Sequence, residues 1–178
     1  MATFGNTASP TSEDETGAFR PTSAFVAPDN GTITSYTATI RFLNSADTLY
    51  IGLYADSGGA PGARLEVVSQ SVSSGPAAPI TIAASGTVNI VSGTTYWLAI
   101  ASGNGGATDF RTSLSTGGST SYNAGVTLPN PFGAVEGSIS ATECIYATYT
   151  PSGGGTVGRL VGGTLCGGVL VGGLLTGF

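Results

Sequence analysis

The 178-residue chain has no lysine and no histidine, and only 8% of its residues are charged. An average soluble domain carries roughly 25%. Without histidine there is no Ser-His-Asp arrangement, and without lysine there is no Schiff-base amine. The five arginines stand singly at Arg20, Arg41, Arg64, Arg111 and Arg159, so no basic patch is present to neutralise phosphates, and nucleic acid is not an expected partner. The formal net charge of −5, with Glu13-Asp14-Glu15 clustered near the start, likewise argues against an anionic membrane surface. Two cysteines far apart and no histidine make a zinc site a poor expectation. No metal and no cofactor are therefore expected. No uninterrupted apolar run reaches the length of a spanning helix. The first residues, MATFGNTASP, lack the basic and apolar regions of a secretory signal. The expectation is either a signal already removed, or synthesis in a cytoplasm and release by another route such as lysis.

What the chain has in place of charge is Ser, Thr, Asn and Gly, with 29 glycines. Such a surface offers little electrostatic repulsion between copies, which suits permanent assembly.

The clearest pattern lies in 36–54. Tyr36, Ala38, Ile40 and Phe42 alternate with polar residues, and Leu49, Ile51 and Leu53 repeat the alternation after the turn at Asn44-Ser45-Ala46-Asp47. The same period predicts strands over 23–27, 32–43, 48–55, 64–71, 78–83, 87–91, 94–101, 107–113, 119–124 and 139–149. Between them lie turn signals such as Ser57-Gly58-Gly59, Ser92-Gly93 and Gly117-Gly118. No segment shows a helical period. Many short strands with regular Gly/Pro turns predict an all-β antiparallel sandwich of jelly-roll type over 23–149. Residues 94–101, TTYWLAIA, are apolar on both faces and read as a central strand covered on both sides, with Trp97 packed in the core. In 139–149 the apolar series Ile139, Ala141, Ile145, Ala147, Tyr149 is interrupted by Glu143 and places Cys144 on the face away from the core.

Residues 1–22, rich in Thr, Ser, Pro and acid, read as an extended N-terminal arm, with a disordered tail as the alternative. At 150–178 the composition shifts to a Gly-rich linker and an apolar tail. The tail repeats a five-residue unit, VGGTL, CGGVL, VGGLL, over 161–175. It is too rich in glycine for a stable isolated helix. Its Leu160, Val161, Leu165, Val169, Leu170, Val171, Leu174, Leu175 and Phe178 need another surface to bury against. That surface is the tails of neighbouring subunits, a partner, or the edge of its own domain.

Catalytic groups are not evident. Glu66, Asp109, Glu136 and Glu143 have no motif around them and read as solvated single acids. Asp56-Ser57-Gly58-Gly59 and Asp29-Asn30-Gly31 offer loop oxygens but lack the density of a calcium loop, so turn formation explains them. Cys144 and Cys166 are disulfide candidates, within one chain or between subunits, with two free thiols as the alternative. Tyr50, Tyr54, Tyr122 and Tyr146 are candidates for stacking on a glycan.

Three segments, GTITSYTATIRF, LYIGLYADSGGAPGARLEVVSQS and VNIVSGTTYWLAIAS, give 31–101 a likeness to a known module. It resembles a jelly-roll module of bacterial surface proteins and phage structural proteins, in which a strand ending LYAD is followed by a GxPG turn, a strand beginning LE, and a later SGTTYWLAI strand. The resemblance implies a structural or binding unit with no catalytic residues to carry over. The expected function is non-enzymatic: a structural protein of a virus particle, such as a phage capsid decoration or short fibre protein. Its expected partners are its own copies, as a trimer by analogy, and the major capsid or other virion proteins. A secreted or displayed carbohydrate-binding or adhesion module is the alternative.

Overall fold

The computed structural model describes residues 1–15, 18–43, 45–104 and 110–152. Among them every regular element is a strand and every pairing is antiparallel. The twelve strands in chain order are β1 (Ala2–Gly5), β2 (Ser12–Glu15), β3 (Phe19–Val26), β4 (Gly31–Phe42), β5 (Asp47–Asp56), β6 (Pro61–Val72), β7 (Ala78–Ala83), β8 (Asn89–Ile90), β9 (Thr95–Ser102), β10 (Phe110–Ala124), β11 (Gly137–Glu143) and β12 (Ile145–Pro151). Hydrogen bonds join them into one sheet with the main path β1-β12-β4-β10-β3-β9-β5-β6. β7 and β8 attach to β4, and β2 and β11 attach to β10.

The alternation in the sequence decides which side chains meet. Ile33, Ala38 and Ile40 of β4, with Ile145 and Ala147 of β12, share one buried cluster with Leu49, Ile51 and Leu53 of β5 and Leu98 and Ile100 of β9. These two strand pairs are far apart along the hydrogen-bonded path, so the sheet folds back and closes a core between them. Fully burying side chains of this size stabilises by about 1.5–3 kcal/mol each.

The opposite face of β5 and β9 is also covered. Tyr54, Trp97, Ala99 and Ala101 form a second cluster with Leu128 and Phe132 from the segment 125–136. That segment is held to the start of β6 by Phe132 N–H to Gly62 C=O (3.0 Å), Arg64 N–H to Asn130 Oδ1 (2.9 Å) and the Arg64 guanidinium to Leu128 C=O. The small residues of β5 and β9 make the approach close. A Cβ on Gly52 would stand 2.8 Å from Leu128 Cδ1. The two-faced apolar pattern of 94–101 thus has its expected cause, and Trp97 is buried.

Three local expectations are corrected. Residues 1–22 supply β1, β2 and the start of β3, and Phe4 enters the main core, so this stretch is woven into the sheet. The glycine pair 117–118 is a bulge inside a single 15-residue strand rather than a turn between two. Both glycines take positive φ, 89° and 74°, and pairing with β11 shifts register between Thr116 and Thr120. The stretch 139–149 is two strands because it changes partner at Cys144. Cys144 N–H bonds Ser113 C=O of β10, while its C=O accepts Thr39 N–H of β4. β11 accordingly follows β10, and β12 follows β4.

Candidate functional site

The register around β10 sorts the charged side chains by face. Thr112 lies opposite Asp14, and Leu114 lies opposite both Ser12 and Glu143. Directly paired residues project to one side of a sheet, so Asp14, Thr112 and Glu143 share a face. Arg111 pairs with Arg41, and Ser113 with Glu13, one residue out of phase. Arg41 and Glu13 accordingly meet on the opposite face, Nη2 to Oε2 at 2.9 Å. The acidic run is split by the strand period: Glu13 is neutralised outside, and Asp14 is turned inward without a cation.

Inward from Asp14 is a cavity of about 200 Å³. Its floor and walls come from four strands. Glu143 and Ile139 belong to β11, Thr120 and Tyr122 to β10, Phe19 and Pro21 to β3, and Asp14 to β2. Phe19 and Tyr122 stand edge to face with centroids 5.3 Å apart. Among the described residues no basic side chain lines the space.

Glu143 is 1% exposed. Its Oε1 accepts a hydrogen bond from Thr112 Oγ1 (3.2 Å), and Oε2 has no partner among the described residues. Its N–H donates to Thr120 Oγ1 (3.2 Å). Thr120 gives its one hydroxyl hydrogen to Ala141 C=O (2.9 Å), so Ser23 is the donor in the 2.9 Å Ser23–Thr120 contact. Thr120 is then saturated and cannot serve Glu143 Oε2. Burial pushes the Glu143 carboxyl up to about 8, partly opposed by the Thr112 bond and reinforced by the charge of Asp14. At neutral pH the group is therefore a carboxylic acid with an unused hydrogen. Such a site can hold a proton or exchange it for a cation.

The residues singled out in the sequence do not gather at one place. Cys144 stands outside the main core cluster, but the expectation that it faces outward is corrected: it is 5% exposed and carries a free thiol. The N-terminal stretch covers it, with Asn6 Nδ2 4.0 Å from Sγ and bonded to Glu143 C=O (3.0 Å). Burial and the neighbouring Glu143 raise the thiol above its ordinary range. Cys166 and the whole apolar tail lie outside the described residues. Tyr54 is corrected as a glycan platform, since it is fully buried and its hydroxyl donates to Pro129 C=O (2.9 Å). Tyr50 is half-buried against the second cluster, and Tyr146 is half-buried on β12. Tyr122 alone of the four lines the cavity.

The two loop carboxylates are turn fixtures. Asp56 accepts Trp97 Nε1–H (2.8 Å) and Gly59 N–H (3.1 Å), which hold its carboxyl below the ordinary range. Asp29 accepts the Tyr149 hydroxyl (3.3 Å). The Asp14–Glu143 juxtaposition was not apparent from sequence. The available signal was Glu143 itself, an acid set in an otherwise apolar strand series.

No protein-family model, curated protein or solved structure matches the chain.

Proposed function

We propose that this chain is a non-enzymatic structural protein of a virus particle, a phage capsid decoration or short fibre protein that assembles through its tail. In this reading the curled sheet is a β-sandwich of jelly-roll type, the form implied by the resemblance of 31–101. One observation carries the proposal. Among the described residues the body closes two buried clusters of its own, drawn from residues between Phe4 and Tyr149. In this reading the apolar repeat serves contacts beyond that body. Low surface charge lets copies approach closely, and paired glycines let backbones approach closely. In this reading the chain self-associates, as a trimer by analogy with virion proteins, and docks on the shell.

The test is the native mass of the full chain beside a version ending at Ser152. A discrete oligomer for the first and a folded monomer for the second is the expected result. Monomers in both cases would overturn assembly through the tail.

A further inference from the structure

The cavity beside Glu143 has a composition that structure alone leaves unbalanced. Among the described residues it is lined by two carboxyl groups and two aromatic rings and by no cation. Arg20 of β3, between the lining residues Phe19 and Pro21, is one residue out of phase with them and donates to Asn123 Oδ1 (3.3 Å). Arg41 of β4 and Arg111 of β10 are one residue out of phase with Asp14 and Thr112. Glu143 lines this space, and its buried Oε2 has no hydrogen-bond partner among the described residues. A buried polar atom left unpaired carries its full desolvation penalty, so one that persists calls for a partner from outside.

We propose that this cavity is a binding site for an alkylammonium group, held between the carboxylates of Asp14 and Glu143 with its carbon stem against Tyr122, Phe19 and Pro21. The polar end matches the unpaired Oε2 and the unneutralised Asp14. The apolar end matches the rest of the lining, and the ring faces attract a cation. A neutral sugar would satisfy Oε2 but leave the charge of Asp14 unanswered. The chain has no lysine, so the ammonium belongs to another molecule. A free small amine and the lysine side chain of a partner protein present the same chemistry, a four-carbon stem ending in a compact charge in the second case.

Binding has a proton balance. The free site holds Glu143 as the acid. When the ammonium enters, the O–H bond of Glu143 breaks, the proton goes to solvent, and the carboxylate pairs with the cation. Besides Glu143, the ionisable groups facing the site are Asp14 of β2 and Tyr122 of β10, with Cys144 adjoining Glu143 in the chain.

The test uses the full-length protein and n-butylammonium, with n-butanol as the neutral analogue, followed by titration calorimetry in buffers of different ionisation heat. Butylammonium should bind at least about tenfold tighter than butanol. Each ligand bound near pH 6.5 should release about one proton, and release should vanish by about pH 9, where Glu143 is already ionised. Glu143→Gln should weaken butylammonium about tenfold or more and abolish proton release, while leaving butanol unchanged. Asp14→Asn should also weaken the ammonium selectively, and it serves if the first variant does not fold. Binding of Nα-acetyl-lysine-N-methylamide as tight as butylammonium assigns the site to a partner's lysine. Exclusion of that compound while butylammonium binds assigns it to a free amine. Equal affinity for amine and alcohol, binding without proton release near pH 6.5, or binding of a methyl glycoside in preference to the amine overturns the proposal.

Discussion

The Tyr36 hydroxyl donates a 2.6 Å hydrogen bond to Glu66 Oε2, tying β4 to β6 although the two strands are not neighbours in the sheet. Ser85 N–H donates to the other oxygen at 2.7 Å. Burial alone would raise the Glu66 carboxyl, but the bonds from Ser85 and Tyr36 outweigh it and hold it below its ordinary value. A lowered folded value means that this contact stabilises above the ordinary range and that its stabilisation fades as pH falls through the folded value. Tyr36→Phe should therefore cost about 1.5–3 kcal/mol at neutral pH by urea unfolding, with the difference from wild type shrinking in acid. A difference that stays constant with pH would contradict this account of Glu66.

Glu143 gives the opposite pH dependence. The unfolded chain releases this proton near the ordinary 4.5, whereas the folded chain keeps it until about 8. Over that window the folded state binds more protons, so stability falls as pH rises. Glu143→Gln cannot ionise, and its melting temperature relative to wild type should climb between about pH 5 and about pH 9. Parallel pH profiles for the two proteins would show that Glu143 is not held as an acid.

Gly52 sets the distance between β5 and the covering segment. An alanine Cβ would lie 2.8 Å from Leu128 Cδ1 and 3.0 Å from Tyr54 Cε2, both on buried residues. Gly52→Ala should cost about 1–3 kcal/mol and accelerate amide exchange over 125–136, with β4 and β12 unaffected. Uniform exchange rates across the two regions would refute the idea of a separately held cover.

Cys144 should behave as a protected thiol. In a Cys166→Ser variant, the single remaining thiol should react with an aromatic disulfide reagent only after unfolding, and Asn6→Ala should speed the native reaction. Immediate reaction of the folded protein would place the thiol at the surface.

Much of the architecture was written in the side-chain period. β4, β5 and β7 fall within a residue or two of their expected bounds because a buried face enforces alternation, and β9 does so because its continuous apolar run marks a strand covered on both faces. Three features were not written there. Alternation says which side of a strand is buried and nothing about which neighbour it pairs with, so the change of partner at Cys144 left no mark. A glycine pair has one composition whether it turns the chain or bulges a strand, and only the partner β11 distinguishes the cases. β2 reads SEDE, with no apolar residue, and is a strand because β10 offers it a ladder and Arg41 of β4 offers Glu13 a charge. The cavity is less legible still. It depends on the register that sets Asp14, Thr112 and Glu143 on one face, which is a property of pairings between distant segments.

β1 occupies one edge of the sheet, with Ala2 opposite Tyr149 and Gly5 opposite Tyr146 of β12. β1 can therefore dock only once β12, distant in sequence, has formed. Phe4 stays uncovered until that pairing is made. A chain of such high contact order folds slowly, and the waiting strand is open to capture by the β12 of a neighbouring nascent copy.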